Sequence, residues 1–169
     1  MKVQINVSVG ELIDKITILE IKLRNIKDPI KWTNCQTDWR QLCETLIQVE
    51  IDGGLMVNSK ETDRKTELYF ELTTQLRAAN QRLWDIEDEI RDLERTSVPD
   101  RLSEYLTEGR DLGAHQPDRE TEFFHNALRF IELARMVYRT NDGRCRLKKE
   151  LDVLFGSELT EEKSYKEMK

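Results

Sequence analysis

Apolar residues recur along most of this chain at alternating spacings of three and four. Leu12, Ile16, Leu19, Leu23 and Ile26 form the first such stripe, the pattern of a helix that meets a neighbour along a coiled-coil-like seam. Ser8 and Glu11 mark its start as an S-x-x-E capping box, with Val7 and Leu12 placed as a hydrophobic staple. Asp28 and Pro29 end it and supply the N-cap and first-turn proline of a second helix. That second helix is predicted from Ile30 to Val49 by Trp32, Cys35, Trp39, Leu42, Leu46 and Val49, and the short link makes the two antiparallel neighbours. From about Lys60 to Arg95, the residues Leu72, Leu76, Ala79, Leu83, Ile86, Ile90 and Leu93 hold heptad spacing without a break. A continuous helix of that extent is about 50 Å long. Helices so long commonly project past their own bundle or pair with a second copy, so a homodimer is expected.

The pattern breaks at Ser97-Val98-Pro99. Over residues 98–117 the chain predicts a short helix from Asp100 to Leu106 and a mobile loop over TEGRDLGAHQP. A further helix begins near Asp118, with Phe124, Ala127, Ile131, Ala134 and Tyr138 at heptad spacing and Phe123, Phe130, Leu133 and Val137 widening its apolar face. The TNDG run from Thr140 to Gly143 predicts a turn. A last helix carrying Leu147, Leu151 and Leu154 then ends at Gly156, ahead of a charged tail over 157–169. At the other end, KVQINV (residues 2–7) alternates polar and apolar. It reads as a short strand paired with Leu55-Met56-Val57 or as an extended arm. The expected fold is therefore all-α: an antiparallel helical bundle, one domain over 1–156, with one long coiled-coil-like helix.

Composition narrows what such a bundle does. Over 169 residues, 36% are charged and only three prolines and seven glycines interrupt the chain, which fits helices rather than disorder. A net charge of −6 argues against nucleic-acid binding by the surface as a whole, though not against a local basic patch. No apolar run is long enough to cross a bilayer, and the N-terminus lacks a signal peptide's apolar core. Cys35, Cys43 and Cys145 form no CxxC pair, as expected of a cytoplasmic protein. His115 and His125 give no metal-ligand spacing and no Ser-His or Cys-His arrangement, so neither a metal nor another cofactor is expected. One enzymatic reading survives. Glu11/Asp14 and Glu89/Asp92 repeat the E-x-x-D spacing with which all-α nucleotide hydrolases hold Mg²⁺, but the paired EExxE motif of that class is missing.

Three constellations carry candidate chemistry. On the outer face of the first helix, Glu11, Asp14, Lys15 and Lys22 accompany Ile18 and Ile21, which lie opposite the core stripe. A second packing partner, from this chain or another subunit, accounts for these isoleucines better than a ligand does. Ile18 and Ile21, with Leu83, Ile86 and Ile90 of the long seam, are the candidate oligomer contacts. Asn80, Trp84, Glu87 and Arg91 share a second face, suited to stacking and hydrogen bonding with a sugar or base. The plainer account of that face is a Trp covering a neighbouring helix beside an ordinary Glu–Arg pair. Glu132, Arg135 and Arg139 form a third stripe, which Asp142 and Arg146 join if the helix runs through. With Arg144, Lys148 and Lys149 this is the most basic segment of the chain. Guanidinium forks bind phosphate oxygens in pairs, while a solvated face explains the same pattern.

The blocks VSVGELIDKITILEIK (7–22), LWDIEDEIRD (83–92), FIELARMVYRTND (130–142) and EEKSY (161–165) together resemble a family of bacterial and phage proteins known only as a domain of unknown function. The resemblance touches both ends and the middle of the chain, and implies that residues 98–117 are an insertion and that the protein is associated with surface-polysaccharide genes, but no reaction or cofactor. It coincides with the three constellations, and so groups Asp14, Lys15, Trp84, Glu87, Arg135, Arg139, Asn141 and Asp142 as one shared pocket, with Arg91 beside them. The expectation is a protein acting through protein contacts, as a homodimer and with a further protein partner. The alternative is a binder or Mg²⁺-dependent hydrolase of a phosphate-bearing small molecule, a nucleotide or nucleotide-sugar.

Overall fold

The computed structural model describes residues 5–53, 55, 60–95 and 117–160. They form an all-α bundle of four helices: α1 (Val9–Asn25), α2 (Pro29–Asp52), α3 (Lys60–Arg95) and α4 (Pro117–Phe155). Residues 5–7 have no regular structure. The remainder of the expected strand pairing, the short helix at 100–106, residues 98–116 of the insertion and the tail from 161 onward lie outside the described residues. No helix among the described residues is long and apolar enough to cross a membrane.

The chain divides into two compact units, one of residues 1–81 with 142–169 and one of residues 82–141. In the first, Ile13 of α1, Tyr69, Leu72 and Leu76 of α3 and Leu151 of α4 form the buried core. Leu46 of α2 and Leu147, Leu154 and Phe155 of α4 close around it. The Tyr69 ring meets Phe155 edge-on at 5.6 Å, and its hydroxyl donates to Glu50 of α2 at 2.7 Å. Burial and that carboxylate push the Tyr69 phenol well above its ordinary range.

Helix α1 is buried on two sides. Leu12 and Ile16 of the heptad stripe are inside, and so are Ile13, Thr17 and Ile21 of the face beside it. Its N-cap forms as the sequence predicts, with Ser8 Oγ accepting from the Glu11 amide at 3.2 Å. The reciprocal half of the capping box is replaced, because Glu11 turns to Lys148 of α4 at 2.8 Å. The remaining amides find partners on α4's end: Gly10 N donates to Asp152 Oδ1 at 2.6 Å and Val9 N to Ser157 Oγ at 3.4 Å. A carboxylate at this position also complements the positive end of the helix dipole.

Helix α2 runs antiparallel to α1, tied by Trp32 Nε1 donating to the Leu23 carbonyl at 3.1 Å. Asp28 caps it through the amides of Ile30 and Lys31, and these bonds hold the Asp28 carboxyl below the usual carboxylate range. Its predicted stripe from Cys35 to Val49 is only half-buried, and no α2 residue is fully enclosed.

The turn expected at Thr140–Gly143 does not form. Helix α4 continues through it to Phe155. Asn, Asp and Gly favour turns as isolated residues, but the flanking Leu133, Cys145, Lys148 and Leu151 are all buried, and tertiary packing on both sides outweighs the propensity of about 1 kcal/mol per glycine. The helix ends one residue before Gly156, whose φ of +65° suits glycine. Gly156 N bonds to Val153 O and Ser157 N to Asp152 O, the paired closure of a Schellman cap.

Candidate functional site

The most concentrated polar chemistry of the first unit lies between α1, α3 and α4. Asp14 is 1% exposed. Its Oδ1 accepts from Asn80 Nδ2 at 2.9 Å and Arg144 Nε at 2.7 Å, and its Oδ2 from Arg144 Nη2. Asn80 also donates to Thr17 Oγ1, and Thr17 donates onward to the Asp14 carbonyl, both at 2.9 Å. Toward the start of α1, the buried Lys148 ammonium meets Glu11, which Lys15 reaches from the other side at 3.4 Å. Arg144, Lys148 and Asp152 stand one turn apart on α4 and face Asp14, Glu11 and the Gly10 amide in antiparallel order. At the Gly10 contact a Cβ would lie 2.3 Å from the Lys148 carbonyl, so only glycine permits this helix crossing.

This seam is an interlocked set of donors and acceptors. A buried carboxylate is tolerated when a bidentate guanidinium and neutral donors saturate it, and Asp14 has both. Periodicity placed Asp14 on an outer face with Lys15 and Ile18. The structure places it inside, because α4 covers that face of α1. Arg144 and Asn80, the two groups that hold it, belong in sequence to the basic segment and to the Trp84 face, and no spacing rule connects either of them to Asp14.

The remaining candidates are divided between the units. Lys15 is exposed and paired to Glu11, and Asp142 is exposed; both belong to the first unit. In the second, Trp84 is half-buried, Glu87 and Arg91 form an exposed pair at 3.2 Å, Arg135 and Arg139 are exposed, and Asn141 is half-buried. Glu132 does not join Arg135 and Arg139. It pairs instead with Arg129 at 2.8 Å, a residue the sequence did not single out. Arg129 also clamps Glu89 of α3 through two bonds of 2.6 and 2.9 Å and holds the Glu89 carboxyl below its ordinary range. Both E-x-x-D pairs thus face cations: Glu11 meets Lys148, Asp14 meets Arg144, Glu89 meets Arg129 and Asp92 meets Arg95. Among the described residues, no three His, Cys, Asp or Glu side chains are grouped as a metal would need.

The expected contact residues also shift. Ile21 is 1% and Ile86 3% exposed, so both are interior residues rather than surface open to a second copy. Ile18, Leu83 and Ile90 are half-buried. Among the described residues of the second unit, the exposed large apolar side chains lie on α4 instead. Phe123, Ala127 and Leu133 turn inward, while Leu128 is 67%, Ile131 40% and Tyr138 36% exposed. With Arg135 between them, these positions follow spacings of three, four and three.

A groove open to solvent lies on the first unit between α1 and α2. It has a volume of about 450 Å³ and is lined by Lys15, Ile18, Leu19 and Lys22 of α1 and Asp38, Gln41 and Leu42 of α2. Comparison of the chain with protein-family models, curated proteins and solved structures finds no match.

Proposed function

We propose that this protein acts through helix-mediated protein contact, with a second copy of itself as the primary partner and α4 of the second unit as the contact. The observation that carries this reading is the exposed Leu128–Ile131–Tyr138 row. Its spacing is that of a coiled-coil seam, and large apolar side chains aligned in this way lose little by meeting a matching helix and gain their burial. Complete burial of a Leu or Ile is worth about 1.5–3 kcal/mol. Self-pairing of the row supplies that gain twice, once from each protomer, as expected of an isologous interface. Arg135, placed within the row, sets register and disfavours other apolar partners. The family resemblance directs the search for a further protein partner toward surface-polysaccharide enzymes.

Sedimentation velocity across a hundredfold range of concentration tests this. The expected result is a species of twice the 20.0 kDa chain mass, converted to monomer by the double change Leu128→Asp and Ile131→Asp with helical content retained. Wild-type protein that sediments as a monomer throughout would overturn the reading.

A further inference from the structure

We propose that the groove between α1 and α2 is a binding site for a nucleoside monophosphate. This inference concerns the first unit and is independent of the dimer contact on the second. Because α1 and α2 are antiparallel and pinned where Trp32 meets Leu23, the order of lining groups along the groove can be read from the sequence numbers. Lys22 lies nearest that pin. Leu19 with Asp38 follows, and Lys15 and Ile18 with Gln41 and Leu42 come last.

That order is a sequence of three chemistries. Lys22 sits in the last turn of α1 and has no ion pair among the described residues, so its ammonium is available to a phosphate. Asp38 is an exposed carboxylate that only accepts, as the vicinal hydroxyls of a ribose require. Gln41 offers an amide donor and an amide acceptor side by side, the complement of a base edge. Ile18 and Leu42 supply apolar surface for the face of the ring. Lys22 and Lys15 are seven residues apart, about 10 Å along the helix, comparable to the length of a nucleoside monophosphate. A volume of about 450 Å³ lies in the range of small-molecule sites. The local charge agrees too. Two lysines face one aspartate across the groove, a net positive site on a chain of charge −6, although Lys15 is already shared with Glu11. Lys22 is therefore the group that fixes the phosphate end.

Isothermal titration of the full chain with uridine 5′-monophosphate, adenosine 5′-monophosphate, uridine and inorganic phosphate tests the assignment. At least one nucleotide should bind, at least tenfold more tightly than uridine or inorganic phosphate. Lys22→Gln should weaken that nucleotide about tenfold, Asp38→Asn should weaken it by a smaller factor, and Leu42→Trp should abolish binding by filling the groove. Neither Lys22 nor Asp38 is buried, so circular dichroism of these variants should match wild type. The Leu128→Asp, Ile131→Asp protein should bind as wild type does, which separates this site from the dimer contact. No nucleotide binding at 5 mM overturns the proposal, as does equal affinity for inorganic phosphate or an unchanged affinity in Lys22→Gln.

Discussion

Asp14 is accommodated at 1% exposure by its polar neighbours: the Arg144 fork, the Asn80 amide and, through Asn80, Thr17. Removing Asp14 takes the acceptor from the buried Asn80 amide and the counter-charge from Arg144; a broken buried pair typically costs about 3–5 kcal/mol, and the 23% exposure of Arg144 places this one at the low end, about 3 kcal/mol. Asp14→Ala should therefore lower chemical-denaturation stability by about that amount, and Asp14→Asn by less, since the amide still accepts one bond. A loss below about 1 kcal/mol for Asp14→Ala would show that the cluster is open to water. The contrast with Lys15, one residue on, is instructive. Its ammonium is half-exposed and its pair with Glu11 is 3.4 Å long, so Lys15→Ala should change stability by at most about 0.5 kcal/mol. Both residues were visible in the sequence as charges on one helix. Which of them was interior depended on where α4 lies, and that is not written in the spacing of α1.

At the level of elements, caps and heptads were legible because they are local. Ser8, Asp28 and Gly156 act within a few residues of themselves, and the Leu72–Leu76 stripe of α3 turns inward as its period demands. The TNDG run misled for the converse reason, since turn propensity is also local but weak against packing over a long helix. Gly143 offers a test. It lies within α4, and a Cβ there would meet nothing within 4 Å. Gly143→Ala should then stabilise the protein by about 0.5–1 kcal/mol, whereas a turn with positive φ would make the same change destabilising. The Glu89–Arg129 clamp between α3 and α4 predicts a pH response. Arg129 lowers the Glu89 carboxyl in the folded state, so its contribution is present above the unfolded value of about pH 4.3 and is lost as pH falls through the depressed folded value. The pair is about 40% exposed, so solvent screens it and its contribution is small. Thermal melts from pH 7 to pH 3 should fall less steeply in Glu89→Gln than in wild type, and identical slopes would dismiss the clamp.

For the whole molecule, the proposed dimer through α4 would make stability depend on protein concentration by mass action. The melting temperature of wild type should rise as concentration is raised a hundredfold, and that of the Leu128→Asp, Ile131→Asp protein should not. The sequence alone determined that this is an all-α bundle, and where three of its helices begin and end to within a few residues. Those features are set by backbone hydrogen bonding and side-chain period, which act over a turn or two. Only the tertiary structure decided that Asp14 and Ile21 are interior, that Arg144 and Asn80 hold Asp14, and that Leu128, Ile131 and Tyr138 are left on the outside of α4. A helix with apolar residues on more than one face has several ways to pack. The neighbouring helices, brought together from far along the chain, select among them.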